Sequence, residues 1–140
     1  MMGGWSQSSY ASTPPEDSAL DPQEERMVIA SQTKITPINQ KSLKKFLSGQ
    51  NPTWPNGTPV TIILYPKASP ELKWLCKSIL NLPPQTYRRF LMQKAFRSGI
   101  NVIEVQNQEE ALAVLREDVG AISPIGSVHL SETVFEIVVE

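Results

Sequence analysis

One cysteine, Cys76, and one histidine, His129, are all that this 140-residue chain contains of either type. A lone cysteine excludes an intramolecular disulfide and leaves the redox setting open. The lone histidine sits in a polar stretch with no cysteine or clustered carboxylate near it, so the several-ligand pattern of a metal site is missing. A Ser–His–Asp or Cys–His catalytic set would have to use His129, and no spacing places it beside Ser69 or Cys76. No run approaches the ~20 apolar residues of a membrane-spanning helix. No Gly-rich phosphate loop of the common types is present, so no cofactor is called for. Charge of one sign is not in excess either. Thirteen Lys/Arg against 14 Asp/Glu give a net charge of −1, which argues against non-specific nucleic-acid binding.

What is present suits a folded protein. The chain is 40% hydrophobic and 19% charged, and its length allows one domain with little room for a second. Residues 1–25 lack apolar periodicity. They carry Gly3, Gly4, a Ser-rich patch, Pro14, Pro15 and the acidic residues Glu16, Asp17, Asp21, Glu24 and Glu25. They read as a disordered tail ahead of a domain at 26–140. Ser9-Tyr10-Ala11 places small residues where a signal peptidase reads, without a basic or apolar segment before them. Two readings follow: a cytoplasmic protein with a plain tail, or the remnant of an export signal whose start lies upstream, which would make the setting periplasmic or extracellular.

From Arg26 onward strands and helices alternate. Met27-Val28-Ile29-Ala30 predicts a strand. Asn39 predicts a helix N-cap, with Leu43, Phe46 and Leu47 inward and Gly49 ending the helix. Trp54-Pro55-Asn56-Gly57 predicts a turn, with Trp54 as a lid over the core edge. Val60-Thr61-Ile62-Ile63-Leu64 is β-branched and apolar, the pattern of a central strand. Ser69 caps a helix with apolar residues at 72, 75, 76, 79 and 80, so Cys76 reads as a buried structural thiol. Asn81 to Pro84 breaks that helix. The next turns Tyr87, Phe90, Leu91 and Ala95 inward and stops near Gly99. A strand at 102–105 follows. Asn107 with Glu110 resembles a capping box and opens a helix with Leu112 and Leu115 inward, ended by Gly120. Ala121-Ile122 and 134–139 predict the last strands. The alternation predicts an α/β fold: a mixed, mostly parallel sheet flanked by helices.

The candidate chemistry lies at Tyr65-Pro66-Lys67-Ala68-Ser69-Pro70-Glu71, where strand passes to helix. A Ser N-cap with Pro at the first helical position aims free N–H groups at one spot, which suits an anion. Glu71 favours the helix dipole and repels an anion at the same place. Lys41, Lys44 and Lys45 read as one exposed face, either a solubilising surface or a partner patch. Arg88 and Arg89 read as surface charges.

The order of these pieces resembles the phosphate-binding-protein-like family, the solute-binding components of phosphate ABC transporters and their short relatives. The matching pieces run from Val28-Ile29 through Phe46-Leu47-Ser48-Gly49, Trp54-Pro55-Asn56-Gly57 and the Ser69 turn to Gly120-Ala121-Ile122-Ser123-Pro124-Ile125. The resemblance implies one lobe of a type 2 periplasmic binding protein. It also implies a non-catalytic, solute-binding-protein-like domain related to phosphate or another oxyanion, and a membrane transporter or other protein as partner. The family's turn reads Arg-x-x-x-Ser-Gly-Thr. Here Ser69 is kept, Tyr65 stands in place of the Arg, Pro70 of the Gly and Glu71 of the Thr. The implied ligand-binding residues are Ser69 first, Lys67 as secondary positive charge, and Glu71 and Tyr65 as the altered positions. A protein-interaction or regulatory module on the same fold, with its anion site decayed, is the rival reading.

Overall fold

The computed structural model describes residues 26–33 and 37–139. Residues 1–25, including Ser9-Tyr10-Ala11, lie outside the described residues. Five strands form one sheet: β1 (Met27–Ser31), β2 (Thr61–Leu64), β3 (Asn101–Glu104), β4 (Ala121–Gly126) and β5 (Phe135–Glu136). Their spatial order is β3-β2-β4-β1-β5. β2 is parallel to both β3 and β4, while β1 is antiparallel to β4 and β5. Four of the five strands therefore point the same way and β1 is reversed, the mixed and mostly parallel sheet expected from the alternation.

The helices are α1 (Gln40–Leu47), α2 (Pro70–Leu75), α3 (Pro84–Ser98) and α4 (Gln108–Glu117). Asn39 caps α1, its side chain accepting from the Ser42 N–H at 2.8 Å, and Leu43, Phe46 and Leu47 are buried. α2 runs on into a π turn, Cys76–Leu80, where the Asn81 N–H reaches the Cys76 carbonyl at 2.7 Å. Asn81 closes it with φ of 56°. Cys76, Ile79 and Leu80 remain buried through the turn, so the expected apolar stripe survives a change of helix type. The apolar spacing carries no sign of that change.

Three expectations shift. Phe90 is 42% exposed, because α3 buries Tyr87 and Leu91, and Phe90 stands about 100° around the helix from Leu91. α4 buries Ala111 and Leu115, with Leu112 only partly covered. The expected strand at 134–139 is Phe135–Glu136, followed by a single parallel bridge between Ile38 and Val139.

β4 includes Pro124, which lacks a ladder donor. Pro124 stands opposite Ile29 of β1, whose carbonyl accepts from Ile137 on the other side. Ile29 and Pro124 are thus a non-hydrogen-bonded pair, and Pro124 turns its ring nitrogen and carbonyl toward β2. Pairing between β2 and β4 ends at Ile122, so the missing N–H breaks no bond. Tyr65, wholly buried, fills the gap and donates its hydroxyl to the Pro124 carbonyl at 2.8 Å.

Burial also makes the fold sensitive to alkali. The Cys76 thiol is pushed up to about 11 by desolvation. Tyr65 and Tyr87 are raised above their ordinary values for the same first reason. An acid with a raised pKa holds its proton more tightly folded than unfolded. The Cys76 contribution is intact below its unfolded pKa of about 8.5 and is lost as pH climbs toward 11, about 3 kcal/mol in all. Urea midpoints should fall steadily above pH of about 8.5, and Cys76→Ala should remove the first part of that fall, leaving the tyrosine part above about 10. A midpoint flat to pH of about 11 would contradict the burial of all three groups.

Candidate functional site

The carboxyl ends of β2, β3 and β4 lie at one edge of the sheet, the side where open α/β sheets take ligands. Three connections meet there: the turn from Tyr65 to Ser69, the segment from Val105 to Asn107, and the chain after Gly126. Val105 stays close to β2 through its N–H to the Leu64 carbonyl at 2.9 Å.

Ser69 caps α2 as expected. Its hydroxyl donates to the Pro66 carbonyl at 2.7 Å and accepts from the Leu72 N–H at 3.2 Å. Donor and acceptor are both engaged within the turn, so the hydroxyl is held as a structural cap. Ser69→Ala should therefore lower stability by about 1 kcal/mol, read by urea unfolding. Lys67 is exposed and, among the described residues, has no hydrogen-bond or ion-pair partner. Tyr65 is buried beneath the turn, facing Pro124 and Ser123, and not at the mouth of the site. Its carbonyl accepts from Arg88 Nη1 at 2.6 Å, while Arg88 Nη2 pairs with Glu104 at 2.8 Å. Arg88 thus ties the end of β2 to the end of β3. It is not simply a surface charge.

Glu71 is half-buried at the start of α2. Its carboxylate accepts from Gln108 Nε2 at 2.8 Å. The same Gln108 accepts, through Oε1, the Gly126 N–H at 2.8 Å. Gln108 therefore bridges the first turn of α2 and the end of β4, across the mouth where the connections meet. Asn107 holds it in register by capping α4 at the Glu110 N–H, while Glu110 reaches back to the Gln106 N–H. The expected capping pair thus forms, with its return bond to Gln106 instead of Asn107.

Electrostatically the mouth presents a carboxylate against a helix N-terminus, and Lys67 as its one unpartnered cation among the expected site residues. Pro70 offers no N–H. Among the described residues no group of three or more His, Cys, Asp or Glu could hold a metal, and no helix there is long and apolar enough to cross a membrane.

No protein-family model matches the chain, and no curated protein matches it in sequence. A solved structure does match: an ABC-type phosphate transport receptor from Vibrio cholerae, with a TM-score of 0.51 and 11% identity. The likeness is one of fold. It covers 79% of this chain and 44% of the receptor, so the chain spans less than half the length of the receptor it matches. The relationship to that receptor fold is distant.

Three features escaped sequence reasoning. Gln108 and Arg88 are long polar side chains whose partners lie far along the chain, and nothing local announces them. The third was legible. Residues 41–97 hold ten Lys/Arg and one carboxylate, Glu71, while residues 98–140 hold one Arg and eight carboxylates. A net charge near zero concealed that segregation.

Proposed function

We propose that the chain is a non-catalytic binding module on one lobe of the phosphate-receptor fold, and that it acts by contact with a protein partner of an oxyanion-transport system, its own anion site being closed. The Glu71–Gln108–Gly126 bridge carries this reading, because it sets a carboxylate and a side-chain amide where an anion would meet the α2 N-terminus. The partner is a transporter subunit or another protein of that system. The proposed setting is periplasmic or extracellular. An apolar segment upstream in the reading frame and recovery of the protein by osmotic shock test it. A non-catalytic role also accords with Cys76, whose buried thiol is held protonated, the opposite of an activated nucleophile.

One observation favours a second reading, direct oxyanion binding at the Ser69 turn: Lys67 is exposed and, among the described residues, unpartnered. Thermal unfolding in phosphate, sulfate and small carboxylates separates the two. A ligand present at 100 times its Kd adds about 2.7 kcal/mol of stability. No anion-specific rise in the unfolding midpoint at millimolar concentration is expected. A rise with phosphate that disappears in Ser69→Ala would establish the second reading and overturn the first.

A further inference from the structure

α1 carries Lys41, Lys44 and Lys45 and no carboxylate. With Gln50, Leu80 and Leu82 these lysines line a groove of about 370 Å³ between α1 and the end of the π turn that follows α2. Lys41 stands three and four positions before the other two, so like charges neighbour one another along the helix and repel. Among the described residues the ion pairs are Arg26–Glu136 and Arg88–Glu104, so no carboxylate there neutralises the groove. Leu80 and the half-exposed Leu82 give it an apolar floor, along which lysine stems can lie.

The chain also holds the complementary charge. Residues 16–25 contain five carboxylates, no Lys or Arg, and Leu20 among them. Residues 1–25 thus carry −5 and residues 26–140 carry +4. Arg26 is fixed, its carbonyl accepting from Ser127 at 2.8 Å. From Arg26 an extended chain reaches about 20 Å to Leu20 and about 33 Å to Glu16, against a radius of gyration of about 13 Å for a domain near this size. We propose that the acidic segment 16–25 docks in the Lys41/Lys44/Lys45 groove, its carboxylates on the lysines and Leu20 on Leu80 and Leu82. Tethering makes this an intramolecular event, so ion pairs that are weak singly act at a high effective concentration. A second copy is a poorer occupant, because its acidic residues 98–140 would arrive untethered, at the concentration of free protein. The inference goes beyond the reading of the mouth and does not depend on it.

The test uses the full chain, with a nitroxide on Ser18→Cys. The native thiol is buried and stays unlabelled. Amide signals of Lys44, Lys45 and Gln50 should be lost to paramagnetic broadening at about 0.01 M salt and return at about 1 M, as the Debye length falls from about 30 to about 3 Å. They should also return in Lys41→Glu/Lys44→Glu/Lys45→Glu. The combination Asp17→Asn/Asp21→Asn/Glu24→Gln/Glu25→Gln gives the same readout without touching the folded domain. Retention of these signals at low salt, broadening that salt does not reverse, or broadening centred on α3 overturns the proposal. So does retention accompanied by co-sedimentation with phosphatidylglycerol vesicles, which would assign the basic face to an anionic membrane.

Discussion

Trp54→Ala is expected to lower the free energy of unfolding by about 3–5 kcal/mol, the range for truncating a buried aromatic. Trp54 is 1% exposed. Its ring stacks on Phe46 of α1 at 4.6 Å between centroids, with the planes 29° apart. Its indole N–H donates to the Gly120 carbonyl at 3.0 Å, so one side chain joins α1, the turn before β2 and the start of β4. The Gly120 carbonyl keeps a second donor, the Thr61 N–H at 2.9 Å, so the loss arises mainly from the cavity and not from a stranded acceptor. Domains of this class have about 5–15 kcal/mol in total, so the variant should be marginal. Urea unfolding followed by circular dichroism gives the value. A loss under about 1 kcal/mol would mean that the site collapses freely or that the turn is not packed as described.

Gly120→Ala should be nearly as damaging, for the opposite reason. A Cβ there would stand 1.8 Å from the Pro59 carbonyl oxygen and 3.0 Å from its carbon. Those are backbone atoms at the entry to β2, held by the Val60 N–H to the Pro52 carbonyl at 2.9 Å and by the Thr61 bond to Gly120 itself. No side chain can swing aside, so the two strands must separate. The expected loss is about 3 kcal/mol or more, the upper end for overpacking. Each kcal/mol lowers the thermal midpoint of a domain near this size by about 4–8 °C, so a fall of more than about 10 °C is expected. Gly57 provides the contrast. Its φ of +89° is left-handed, but an added Cβ would meet nothing within 4 Å, so alanine there meets only backbone strain. A Gly120→Ala midpoint equal to that of Gly57→Ala would contradict the close approach of β2 and β4.

These two residues also show what the sequence could and could not disclose. Trp54 in its Pro-Asn-Gly turn was readable as a lid, because turn chemistry and a large apolar ring are local signals. Asn39, Ser69 and Asn107 were readable as caps for the same reason, and all three make the expected bond. The reach of Trp54 to Gly120 spans 66 positions and has no local trace. Gln108 is the same problem at the candidate site. It looks like an ordinary first-turn residue of α4, and only the fold brings it to Glu71, 37 positions away. Tyr65 misleads in the other direction. Its place in the turn matches a ligand-contacting position in the resembled family, yet the early end of β2–β4 pairing draws its ring into the core. Glu71 alone announced a conflict, a carboxylate where an anion was expected, and its engagement with Gln108 completes that conflict.

The proposed function requires the Ser69 turn to be closed to anions by the Glu71–Gln108–Gly126 bridge. Phosphate titration followed by amide chemical shifts at Ser69, Glu71, Leu72 and Gly126 decides whether it is. No saturable shift at these amides up to millimolar phosphate is the predicted result. Saturable shifts converging on them, with the Gln108 side-chain signals moving as its bridge opens, would contradict it.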